Sequence, residues 1–71
     1  METIKRRFKV ERKEINYLRY TIESYDGMAV VRTIDPQQAC IEIQIAPGCE
    51  ALISKLLDSL RKKEGLTIEE L

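Results

Sequence analysis

The chain has 71 residues, with twelve basic and twelve acidic side chains, no histidine and two cysteines. That length sets one domain with no room for a second core, burying only about 60% of the surface its unfolded chain exposes, so self-association is a natural source of extra stability. The cancelled charge argues against strong non-specific binding to nucleic acid or to anionic lipid, and the residue inventory excludes the usual zinc patterns and a four-cysteine iron–sulfur site.

Charge is nonetheless uneven: Lys5, Arg6, Arg7, Lys9, Arg12 and Lys13 face only Glu2 and Glu11 in the first thirteen residues, while Glu64, Glu69 and Glu70 close the sequence without a base. Residues 3–11 read as a first strand, with Ile4, Phe8 and Val10 on one face and Lys5, Arg7 and Lys9 on the other. Arg6 interrupts the apolar face, which predicts a fraying end or an edge strand, where the cations also discourage edge-to-edge pairing. From Lys13 to Tyr25 the period becomes 3.6, and Ile15, Leu18, Ile22 and Tyr25 form the stripe of a half-buried helix ended by Asp26-Gly27. Tyr17, Tyr20 and Ser24 lie on the opposite side of that helix. Rings lying along neighbouring side chains account for the two tyrosines, and so does a partner-binding patch.

Residues 28–35 and 39–46 read as two strands rich in Val, Ile and Thr, reversed at Asp35-Pro36. Ile41, Ile43 and Ile45 alternate strictly with Cys40, Glu42 and Gln44. A three-residue turn places Ala29, Val31 and Thr33 with the isoleucines and leaves Val30, Arg32 and Ile34 outside; a four-residue turn would bury Arg32, at high cost. Pro47-Gly48 breaks the strand, and residues 49–64 form a second helix with a stripe of Leu52, Ile53, Leu56, Leu57 and Leu60. Arg61, Lys62 and Lys63 suit the negative end of its dipole, and Gly65-Leu66 reads as a glycine C-cap. A short strand is preferred over a last helical turn for residues 66–69. The sum is an α+β fold of ferredoxin-like order, βαββα(β), a two-layer sandwich with two helices on one face of an antiparallel sheet.

Cys40 and Cys49 sit at opposite ends of the third strand, about 20 Å apart at ~3.3 Å per residue, too far to pair. Reduced thiols, the lack of a signal-peptide core and a longest apolar run of only Met28-Ala29-Val30-Val31 lead us to expect a cytoplasmic protein that does not enter membranes. No catalytic constellation can be assembled without a histidine base, so no enzymatic activity and no cofactor are expected. Cys49 at a helix start has the position of an activated thiol, but its place on the leucine stripe favours a buried structural one. The central strands carry no aromatic side chain, which argues against RNA on the sheet. The open sheet face, with Val30, Ile34 and Cys40 among polar neighbours, is the candidate interface, together with Tyr17 and Tyr20. The expected role is that of an interaction module: a homo-oligomer, a dimer in the simplest case, that docks on a protein partner.

The run Ile15-Asn16-Tyr17-Leu18-Arg19-Tyr20, the run from Glu23 to Asp35, and Ala46-Pro47 at the end of the third strand resemble a small bacterial family of unknown function. The resemblance covers residues 8 to 64. The order of elements is similar to that of the ACT regulatory domain, which pairs side by side and binds amino acids at the interface near the loop between its first strand and first helix. The ACT resemblance therefore implies, as the alternative function, a stand-alone sensor of an amino acid or similar metabolite, with Arg12, Lys13 and Asn16 near the ligand. This loop, Glu11-Arg12-Lys13-Glu14, lacks the aspartate and the proline or glycine common there.

Overall fold

The computed structural model describes residues 3–25 and 27–71. Asp26, expected to help end the first helix, lies outside them. The elements are β1 (Ile4–Val10), a 3₁₀ turn at Arg12–Glu14, α1 (Ile15–Glu23), β2 (Ala29–Asp35), β3 (Cys40–Ile45), α2 (Glu50–Lys63) and β4 (Ile68–Glu70). The strands form one open sheet in the order β2-β3-β1-β4, every neighbouring pair antiparallel.

Alternation on the strands and the 3.6 period on the helices converge on one core. Phe8, Ile41, Ile43 and Ile45 on the sheet meet Leu18 and Ile22 of α1 and Ile53 and Leu57 of α2, each almost wholly excluded from solvent. Both helices thus bury their stripes against the same side of the sheet. At roughly 1.5–3 kcal/mol for each fully buried aliphatic side chain, this cluster is the main stabilising term. Tyr25 does not join it: α1 stops at Glu23, where Ser24 Oγ donates to the Thr21 carbonyl, and the Tyr25 ring lies exposed beyond the helix. Ile4 and Leu52 are also exposed, because each lies at the margin of its stripe. Cys49 is half-buried and packs against the core edge, and both thiols are free.

β1 is central over its second half and an edge over its first: β3 pairs with it from Ile4↔Ile45 to Lys9↔Cys40, but β4 only from Phe8↔Glu70 to Val10↔Ile68, so the end that carries Arg6 has a paired strand on one side alone, as its sequence led us to expect. Arg6 is accommodated on the inner side because all three of its guanidinium nitrogens are engaged. Its Nε donates to Glu70 Oε2 at 2.7 Å, its Nη2 to Glu70 Oε1, and its Nη1 to Ser54 Oγ at 3.1 Å. The guanidinium also lies over the Phe8 ring, 5.5 Å from the centroid.

The hairpin reconciles two requirements that seemed exclusive. The loop between β2 and β3 has four residues, 36–39, yet Arg32 stays outside and Val31 inside. A bulge absorbs the extra residue: Thr33 pairs with Ile41, but the next pair is Asp35 with Cys40. Asp35 Oδ1 accepts the amides of Gln37 and Gln38 at 3.0 and 3.2 Å, and Ala39 closes the loop at φ 54°.

Candidate interaction surface

The side of the sheet away from the helices is built in cross-strand rows. Lys5, Gln44 and Val30 form the first; Arg7, Glu42 and Arg32 the second; Glu69, Lys9, Cys40 and Asp35 the third, with bulged Ile34 at its margin. Alternation on each strand puts these residues outward, and the register aligns them. Val30 is 56% exposed and Ile34 38%, so two large aliphatic side chains stand in solvent on the outermost strand.

Glu42 is the centre of the face. Alternation predicts a solvated carboxylate there, yet only 4% of the residue is exposed, because longer neighbours fold over it. Gln44 Nε2 donates to its Oε1 at 3.1 Å and Arg7 Nε to its Oε2 at 3.2 Å. The Gln44 hydrogen bond first, then that from Arg7 and the fields of Arg7 and Lys5, hold the Glu42 carboxyl below its ordinary range, against the opposing effect of burial. Lys5, Lys9 and Arg32 make no ion pair with any other described residue.

The remaining sequence candidates lie elsewhere. Tyr17 and Tyr20 are on the outer side of α1, in the helical layer, so they do not share a patch with Val30, Ile34 and Cys40. The Tyr17 hydroxyl donates to Glu64 Oε1 at 2.7 Å, tying α1 to the end of α2 and raising the phenol's pKa. Tyr20 is 78% exposed. Arg12 Nη2 donates to the Gln37 carbonyl at 2.9 Å, Lys13 lies 3.6 Å from Glu11, and Asn16 is exposed. A groove of about 210 Å³ opens not there but on the helical layer, lined by Tyr25, Leu52, Ile53, Lys55, Leu56 and Ser59.

Sequence reasoning missed a device on the outer strand. The Glu23 carboxylate accepts the Val31 amide at 2.8 Å, and Arg19 donates to Thr33 Oγ1 at 3.1 Å. The end of α1 therefore occupies part of the edge of β2 and blunts it against another strand. An acid eight residues before an amide in the next element leaves no periodic signal.

Among the described residues no group of three or more Cys, Asp or Glu is placed to hold a metal ion, and no helix is long and apolar enough to cross a membrane. No curated protein and no solved structure matches the chain. The profile of the family described as Domain of unknown function (DUF4911) does match, over residues 8–63, from the second half of β1 to the end of α2, and the chain belongs to that family.

Proposed function

We propose that the chain is a non-catalytic interaction module of the cytoplasm that self-associates and docks on a protein partner through the open side of its sheet. The observation that carries this reading is the exposure of Val30 and Ile34 on a face that neither helix covers. The blunted edge of β2 favours contact through the face over strand addition. The outer end of the face combines Val30, Ile34 and Cys40 with a single cation, Arg32, so two copies can meet there with little like-charge opposition. We read the βαββαβ order with strands β2-β3-β1-β4 as ferredoxin-like, the plan ACT domains also use. The ACT-type sensor draws less support, since Arg12 and Lys13 are engaged by Gln37 and Glu11 and the groove lies at the helices.

Sedimentation velocity tests the reading. The wild type is expected to sediment as a dimer, and Val30→Glu with Ile34→Glu as a monomer with unchanged circular dichroism. Identical sedimentation of the two proteins overturns it.

A further inference from the structure

We infer that the partner of this face is an acidic protein segment, laid in extended form along the cation row of β1. The inference rests on the interaction-module reading and names the chemistry of its partner. Four cations, Lys5, Arg7, Lys9 and Arg32, stand on the open face against three carboxylates, Glu42, Glu69 and Asp35, a local excess of one positive charge on a chain whose total is zero, and Asp35 sits on the far strand with its Oδ1 taken by the turn amides of Gln37 and Gln38. Glu42 is buried and held by Arg7 and Gln44, so it presents little negative charge to an incoming ligand. Lys5, Arg7 and Lys9 recur at every second residue, roughly 6.8 Å apart. An extended peptide with carboxylates at alternate positions repeats at the same distance.

The alternatives fit less well. Single-stranded nucleic acid also carries regularly spaced anions, but its tight binding on a sheet uses aromatic side chains on which bases stack. The outward residues of this face include none: Phe8 points into the core, and Tyr17, Tyr20 and Tyr25 belong to the helical layer and its margin. A second copy centred on β1 would set lysine and arginine rows against their own likeness.

The test uses a fluorescent peptide of alternating glutamate and valine, a matching lysine–valine peptide and a labelled oligothymidylate, each titrated with the whole chain by anisotropy. The acidic peptide alone is expected to bind, at least tenfold more weakly in about 300 mM salt than in about 50 mM. Replacing Lys5, Lys9 and Arg32 by Gln should weaken it tenfold or more, while Glu42→Gln, which frees Arg7 from its ion pair, should tighten it several-fold. Amide shift changes in the two-dimensional NMR spectrum should concentrate on β1 and β3, and the same spectra establish that each variant is folded. Binding of the oligothymidylate with equal or greater affinity overturns the inference, as does binding of the acidic peptide that the triple replacement leaves unchanged. No binding of the acidic peptide, with the Val30 and Ile34 replacements still dissolving the dimer, overturns the acidic partner and leaves the module reading standing. Acidic-peptide binding by a wild-type monomer has the opposite meaning: self-association falls and the partner chemistry holds.

Discussion

At the residue scale, the most informative group is Glu70. Its two oxygens receive the forked guanidinium of Arg6, sixty-four positions earlier, and that hydrogen bonding holds its carboxyl below the ordinary range, with help from the fields of Arg6 and Arg61. Glu42 is shifted the same way. A carboxyl whose pKa is lower in the folded chain stabilises it above the unfolded value, and that stability is lost as pH falls through the folded value. Thermal melts from neutral pH down to about pH 3 should show stability declining through the carboxylate range. Glu70→Gln should melt below the wild type near neutrality and converge on it as the pH drops. A gap that stays constant with pH would mean the carboxylate's charge plays no part.

At the scale of elements, the hairpin turn gives the sharpest expectation. Ala39 adopts a left-handed conformation at φ 54° while its methyl is buried. Ala39→Gly relieves the backbone but removes a buried methyl and adds freedom to the unfolded chain, so stability should change by less than about 1 kcal/mol. Ala39→Val, with a β-branched side chain at positive φ, should cost about 1–3 kcal/mol. Urea titration of the two variants checks both. The elements themselves were largely legible, because alternation in β3 and the stripes of α1 and α2 are local patterns. Neighbour relations were not. Arg6 did mark the half of β1 that lies at an edge, but a strand's own sequence tells only which side is apolar, so the pairing of its second half with β4 and the carboxylate that receives Arg6 stayed hidden about sixty residues on. The candidate face was legible in Val30, Ile34 and Cys40, while the burial of Glu42 was hidden until the register brought Arg7 beside it. The bulge was equally hidden: Ile34-Asp35 carries no glycine to announce it.

For the whole molecule, the decisive feature is how much depends on a three-residue strand. β4 supplies buried Ile68, the carboxylate for Arg6, the Ile68 carbonyl that accepts Arg61 Nε at 2.8 Å, and the last pairs on β1. A domain of this size has about 4–10 kcal/mol of stability. Ile68→Ala alone should remove about 2–5 kcal/mol of it. Deleting residues 68–71 should leave a predominantly unfolded chain, because it opens the side of Phe8 and strands a guanidinium on the inner face. Collapse of amide dispersion in the NMR spectrum of the deletion, with Ile68→Ala still folded, is the expected result. A well-dispersed spectrum for the deletion would show that β4 is an accessory.

The central position of β1 has a consequence in time. During synthesis this strand is made first, while β3 and β4, which pair with it on either side, follow some thirty to sixty residues later. At about 5–20 residues per second, it waits seconds for its neighbours. Four of its seven residues are cationic, Lys5, Arg6, Arg7 and Lys9. A nascent strand so charged repels its own kind and stays hydrated until partners arrive, so cations set among its apolar residues guard the growing chain before they serve the finished sheet.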